Sequence, residues 1–377
     1  MMKSSRIGID FHVAGGIYQG VRTYLTNLMR GVLEIENEFD YFVYTDNPGE
    51  LASGGNGHRN LTLKGLPSRW GRFNLLAGFL ACAYRDELSL FHSQYVLPLY
   101  LPCKSVLTIH DILFEKYPQF FPKFHGGLMK YFVPLSAKRA DRIISVSEFT
   151  KREICEYYGI PSDKVTVIYE GASDSFAPIR DRDLVLRRLK KYQIRTKYLL
   201  FVGRIEPRKN IVGVLKAFHD LKKEGHKELC IVIVGHQDRI FRERTLFTEI
   251  AKLGLESDVL FTGGVSEEDL CALYNGAEAL IYPAFAEGFG LPVVEAMASG
   301  TPVVTSNTTA LQEVAGSAAI LVNPQSHEEI AQAIDRLLSD ESLKRELSHM
   351  GLDRARQFRW EETAQKTVEV YRQVIAG

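Results

Sequence analysis

The strongest constraint on the fold is a rhythm. Short runs rich in β-branched and aromatic residues alternate with longer stretches of helical periodicity along the chain. In the first half the runs are Arg6–Phe11, Tyr41–Thr45, Leu61–Leu66, Leu88–His92, Ser105–His110, Arg142–Ser147 and Val165–Tyr169. In the second half they are Tyr198–Val202, Cys230–Val234, Val259–Thr262, Ala279–Tyr282, Pro302–Thr305 and Ala319–Val322. Several are continuously apolar, as strands buried on both faces must be. Helical patterns lie between them, for example Lys151–Tyr158, Val212–Lys223 and Glu267–Asn275. This alternation predicts an α/β protein with parallel sheets covered by helices. Thirteen strands exceed the roughly ten of a single open sheet. The pattern therefore predicts two doubly wound units. The seam falls within 175–195, where a charged helical stretch, Leu184–Tyr192, precedes a fresh strand. The expected divisions are 1–178, 179–357 and a C-terminal helix in 358–377 that packs back toward the first unit. Ligands of such sheets bind beyond the carboxyl ends of the strands, which points to a central cleft.

Composition removes several classes. Lys+Arg and Asp+Glu are both 46, so the net charge is zero, and a general nucleic-acid binder would need a basic excess. The longest mainly apolar run, Phe73–Tyr84, is shorter than the ~18 residues of a membrane span. The opening Met-Met-Lys-Ser-Ser-Arg runs straight into the first strand, so no signal peptide is expected and a cytoplasmic location is. The five cysteines lack metal-ligand spacing and read as reduced, mostly buried thiols. Asp181-Arg-Asp183 has the form of a metal-holding Asp-x-Asp. Its place just before a helical stretch predicts helix capping instead. No bound metal and no cofactor are expected.

Four segments could carry chemistry. The densest is Glu287-Gly-Phe-Gly-Leu-Pro-Val-Val-Glu295, after the strand Ala279–Tyr282. Gly288 and Gly290 permit close backbone approach, Pro292 suits a first helical turn and Gly300 the residue past its end. The amides of the first turn face outward toward an anion. Singly, Glu295 could merely complement a helix dipole and Glu287 could be a solvated loop acid. Their pairing across a glycine-rich turn argues for a site. The second segment is Gly203-Arg-Ile-Glu-Pro-Arg-Lys-Asn210, with three cations in six residues, suited to a diphosphate. The third, Gly15, Gly16 and Gly20 after the first strand, misses the G-x-G-x-x-G spacing. The fourth is His110-Asp111 at a strand's carboxyl end, either a cleft residue or a satisfied core histidine. His92 ranks below it, and Ser147 reads as a helix cap. A further stretch, 113–142, combines Lys116, Lys123, Lys130, Lys138, Arg139 and Arg142 with Phe114, Tyr117, Phe120, Phe121, Phe124, Tyr131 and Phe132. It is either a peripheral membrane contact or an ordinary loop and half-buried helix.

Together these segments resemble the retaining glycosyltransferases of family 4, which have the GT-B fold of two Rossmann-like domains. The resemblance rests on Gly20-Val-Arg-Thr-Tyr24, His110-Asp111, Ala140 to Phe149, Gly171 to Asp174, Gly203 to Asn210, Ala279 to Gly300 and the closing Trp360…Tyr371. It is similar to the hexosyltransferases of polysaccharide assembly. It implies a nucleotide-sugar donor, with UDP-glucose and GDP-mannose the leading candidates, and a saccharide or lipid-linked saccharide acceptor. By matching position, Arg204 and Lys209 would bind the diphosphate, Glu287 the transferred sugar, and Glu295 the ribose hydroxyls. The amides of Gly288, Phe289, Gly290 and Leu291 would lie near sugar and phosphate. Gly16 and Gly20 would let their loop approach the phosphate, and His110 would meet the donor sugar. The family's usual Asn before Gly171 is Glu170 here. The resemblance also implies independence from metal. Two other readings use the same features: a nucleotide-sugar epimerase, which needs no acceptor, and a non-catalytic nucleotide-sugar-binding protein.

Overall fold

The structure is a computed structural model. It describes residues 5–12, 19–35, 38–45, 59–66, 71–194, 196–237, 243 and 245–377, apart from the side chains of 19, 71–77 and 123–125. Gly15 and Gly16 lie outside the described residues, as do the side chains of Lys123 and Phe124.

Each expected run carries a strand. The first seven are β1 (Ser5–Asp10), β2 (Phe39–Thr45), β3 (Leu61–Gly65), β4 (Leu90–Gln94), β5 (Lys104–Ile109), β6 (Arg142–Ser145) and β7 (Val165–Val167). The other six are β8 (Tyr198–Val202), β9 (Cys230–Val234), β10 (Val259–Gly263), β11 (Ala279–Tyr282), β12 (Val303–Ser306) and β13 (Ile320–Val322). They form two sheets, ordered β3-β2-β1-β4-β5-β6-β7 and β10-β9-β8-β11-β12-β13. The registered pairs are parallel throughout. Every residue of β8, β9 and β11 is buried, which is why these strands read as unbroken apolar runs. In each sheet the order reverses once, between β1 and β4 and between β8 and β11. Ligands of such sheets bind at that reversal, outside the carboxyl ends of the strands.

The chain forms two compact units. One comprises Met1–Lys116, Lys123–Glu170 and Trp360–Gly377; the other comprises Tyr117–Pro122 and Gly171–Arg359. The division after Glu170 comes earlier than the expected 178 because 171–179 is bonded into the second unit. Ala172 N–H donates to the Phe358 carbonyl at 3.1 Å, and Ile179 N–H donates to Asn275 Oδ1 at 2.7 Å. Asp181 accepts from Leu184 N–H at 3.0 Å and so caps helix Arg182–Lys190. Ser147 caps Glu148–Tyr158 in the same way.

In the first unit the C-terminal helix Trp360–Ala376 packs on helix Gln19–Glu34. Gly31 makes their close approach possible: a Cβ there would lie 2.7 Å from Ala364 Cβ. Tyr24 meets Trp360 edge-on at 6.1 Å. Gly31→Leu should therefore destabilise the protein by about 1–3 kcal/mol through overpacking. That outcome opposes intrinsic helix propensity, which favours Leu by about 1 kcal/mol. Gly127→Ala, at a helical position where an added Cβ meets nothing, should gain up to about 1 kcal/mol. Paired thermal melts check both signs.

Candidate active site

Two segments leave the second sheet at its reversal. After β8 the chain runs through Gly203 and Arg204 to the short turn Pro207–Lys209, then into helix Ile211–Lys223. After β11 it runs through Glu287 to helix Leu291–Ala298. Asn210 ties the segments together, donating from Nδ2 to the carbonyls of Pro283 at 3.0 Å and Pro324 at 2.7 Å. Phe285 N–H donates to the Arg208 carbonyl at 2.9 Å. Gly290 is required in its turn. Its φ is +113°, and a Cβ would lie 2.6 Å from Leu311 Cδ2. Gly235, after β9, is required more stringently: a Cβ would lie 2.0 Å from the Gly203 carbonyl oxygen.

These contacts bring five charges into one row. Arg204 Nη2 lies 3.4 Å from Glu206 Oε2, and Arg208 Nη2 lies 2.7 Å from Glu206 Oε1. Arg208 Nη1 lies 2.7 Å from Glu287 Oε2, and Lys209 Nζ lies 2.8 Å from Glu287 Oε1. Three cations thus share these two carboxylates. Tyr282, the last residue of β11, donates its hydroxyl to Glu287 Oε1 at 2.7 Å and also meets Lys209 Nζ. Arg208 Nη1 further donates to the Ala286 carbonyl at 2.6 Å. Burial alone pushes the Glu287 carboxyl upward. The Arg208 and Lys209 charges overcome it and hold the group well below the usual carboxylate range. Burial and the Glu287 charge push the Tyr282 phenol well above its ordinary value, so it stays a donor.

The remaining candidates fall as follows. Glu295 sits in the helix after Gly290 and accepts from the Tyr274 hydroxyl at 2.8 Å. Phe289 is buried and meets Phe358 edge-on at 5.6 Å. Gly288 and Gly290 are buried, and Leu291 opens the helix. Gly20 does not lie in a loop, as expected, but in the first turn of helix Gln19–Glu34, where a Cβ would meet nothing. Gly16 lies outside the described residues.

His110 belongs to the first unit, directly after β5. Its Nδ1 faces Glu170 Oε1 at 3.0 Å and its Nε2 faces Gln94 Oε1 at 2.8 Å. The departure at Glu170 thus supplies a carboxylate to that ring. His92 is a satisfied core histidine, bonded to Tyr371 OH at 2.6 Å and Thr108 Oγ1 at 2.7 Å. Burial, aided by nearby His110, pushes it down to about 3. Within 113–142, Lys116 pairs with Glu153 at 3.0 Å, Lys130 pairs with Glu115 at 3.5 Å, and Phe114 is buried. Lys130, Tyr131, Lys138 and Arg139 stay exposed.

Sequence reasoning did not find Glu206, Tyr282 or the particular place of Arg208. The alternation Arg204, Glu206, Arg208 was a legible signal for a pre-paired cluster. Tyr282 was legible as a polar tip at the end of a buried strand. Among the described residues no three His, Cys, Asp or Glu side chains gather as metal ligands would. No helix there is long and apolar enough to cross a membrane.

Arg208 is the partner whose loss should cost most stability. It bonds both Glu206 and Glu287, and removing it leaves two buried carboxylates undercompensated. Arg208→Met should cost about 3–5 kcal/mol and Arg204→Met distinctly less, as thermal denaturation will read. The pH dependence has a definite sign. The unfolded Glu287 takes up its proton near 4.5 and the folded one only well below. Its contribution is therefore present above 4.5 and is lost as pH falls below that value.

Comparison with known proteins places this geometry. Residues 18–176 match the model of glycosyltransferase family 4, and residues 188–354 match that of glycosyl transferases group 1. The chain is 34% identical over 291 residues to an O-antigen chain mannosyltransferase B of Escherichia coli, covering 77% of this chain and 75% of the relative. It is 32% identical over 274 residues to the O-antigen chain mannosyltransferase RfbU of Salmonella typhimurium, covering 72% and 69%. Its fold matches a sucrose-phosphate synthase from Thermosynechococcus elongatus with a TM-score of 0.79 at 21% identity, over 99% of both chains. Two parallel, doubly wound units with a charged cluster at a strand-order reversal, together with these relatives, identify the chain as a GT-B-fold member of glycosyltransferase family 4, an enzyme of glycosyl transfer in polysaccharide assembly.

Proposed function

We propose that the chain transfers a mannosyl group from GDP-mannose to a saccharide or lipid-linked saccharide, with retention at the anomeric carbon and without a bound metal. The observation that carries this reading is the row of Arg204, Arg208 and Lys209 against Glu206 and Glu287, beside two helix starts. The choice of mannose rests on what the two O-antigen relatives transfer.

The chemistry follows from charge. The bond between the sugar's C1 and the diphosphate oxygen breaks, and negative charge grows on the leaving group. Arg204 and Lys209 bind that diphosphate and stabilise its charge, as preorganised donors do most effectively. Both Glu287 oxygens are already engaged, one by Arg208 and the other by Lys209 and Tyr282. A carboxylate so neutralised is a poor nucleophile, which favours its contacting the transferred sugar over forming a covalent intermediate. The acceptor oxygen then bonds to C1 on the face the diphosphate leaves, and its proton passes to a leaving phosphate oxygen. His110, steadied by Glu170, meets the donor sugar, and Glu295 accepts from the ribose.

In the test, purified protein is given GDP-mannose and acceptor, and NMR follows the anomeric configuration. Retention with undiminished turnover in EDTA is expected; inversion ends the mechanism. Lys209→Met should lower kcat/KM by about 10–150-fold, equivalent to about 1.5–3 kcal/mol for a charged hydrogen bond, with the fold retained. Sugar interconversion without acceptor would instead support the epimerase reading.

The reading extends to a cytoplasmic enzyme resting on an anionic membrane face through 113–142. In support, Lys130, Tyr131, Lys138 and Arg139 are exposed there. Cosedimentation with phosphatidylglycerol vesicles, lost in high salt and absent with phosphatidylcholine, is the expected result.

A further inference from the structure

Among the described residues, five non-glycine residues have positive φ: Glu87, Tyr95, Gln193, Asn210 and Thr309. Only Thr309, at +57°, is β-branched, and a branched Cβ in the left-handed region is a genuine outlier. It lies three residues beyond β12, at the start of the short helix Thr309–Ala315. Its hydroxyl Oγ1 accepts from Glu287 N–H at 3.2 Å. Ala310 N–H donates to the Glu287 carbonyl at 3.4 Å. Both backbone polar groups of Glu287 thus rest on this one turn. The neighbouring Thr308 hydroxyl is buried and has no hydrogen-bond partner. A turn shaped for stability alone would hold glycine or asparagine at 309. Strain of this kind clusters where geometry serves function.

We propose that Thr309 is a positioning residue that fixes the backbone of Glu287, so that the carboxylate meets the transferred sugar in one geometry. This rests on the role given to Glu287 above. Arg208, Lys209 and Tyr282 set the charge of that side chain, and Thr309 sets the position of the chain that carries it. What threonine supplies and glycine cannot is an acceptor hydroxyl on a stiff χ1.

The test compares wild type with Thr309→Gly, Thr309→Ser and Glu287→Gln. Nucleotide release is measured from GDP-mannose and from UDP-glucose, and the faster donor is used for all four proteins. Thr309→Gly relieves the backbone strain, so its Tm should rise by about 2–4 °C. Its kcat should nonetheless fall about 10-fold with donor KM little changed, because misplacement of a contacting group acts on the reacting geometry. Thr309→Ser keeps the hydroxyl and should stay within about 3-fold of wild type in kcat. A merely structural residue would not give a more stable, slower enzyme. Thr309→Gly that turns over like wild type while Glu287→Gln is inactive overturns the assignment of Thr309 alone. Glu287→Gln that turns over like wild type overturns the reading of Glu287, and this proposal with it.

Discussion

The second unit is organised around one buried carboxylate. Glu287 is 8% exposed, and an ionised group so placed is tolerable only when paired and hydrogen-bonded. Its partners come from two separate segments: Arg208 and Lys209 from the turn after β8, and Tyr282 from the end of β11. The pairing therefore demands that these segments be held together. Asn210 does so by bridging to Pro283 and Pro324. Gly235 and Gly290 remove the side chains that would force the loops apart. The strands beneath are buried throughout and provide a base that does not yield.

Pre-pairing changes what the cations do. Arg204, Arg208 and Lys209 are not free charges awaiting a diphosphate, since each already touches a carboxylate. The carboxylates keep the row together in the absence of ligand and hold its side chains in place. The three cations are thereby held in fixed positions. That arrangement suits catalysis better than raw attraction does, because donors oriented beforehand need no reorganisation as charge develops.

The alternation of apolar runs made the strands legible, because a parallel strand covered on both faces must be apolar for its whole length. The exception explains itself. β4 runs on to Gln94, past the expected end at His92, through residues that no hydropathy pattern assigns to a core. Ser93 is bonded to Asp10 at 3.0 Å, and Gln94 to His110 at 2.8 Å, so polar residues can be buried there. The same limit hid part of the site. Arg204, Lys209 and Glu287 were visible as residue types beyond strand ends, and Glu295 as an acid in the helix that follows. That Arg208 links Glu206 to Glu287, and that Glu170 reaches His110, depends on contacts between segments far apart in the chain. The break between units was misplaced for the same reason, since residues 171–179 owe their membership to bonds with Asn275 and Phe358.

Helix starts carry a last physical distinction. Away from the reversal of the second sheet, Leu246–Leu253 and Thr309–Ala315 have no side-chain cap bond, but the other α-helices of that unit are closed by side chains. Ser266 caps Glu267–Gly276 and Ser326 caps His327–Ser339, each followed by first-turn acids. The two helices that begin at the reversal are built otherwise. Ile211–Lys223 and Leu291–Ala298 have no side-chain cap bond and no acid in the first turn, and each is entered through a left-handed residue, Asn210 or Gly290. An acid or a capping hydroxyl would have stabilised either start by about 0.5–2 kcal/mol. Its omission at these two ends, beside the row of Arg204, Arg208 and Lys209, leaves both helix starts without a first-turn acid, the condition under which a helix dipole favours an anion.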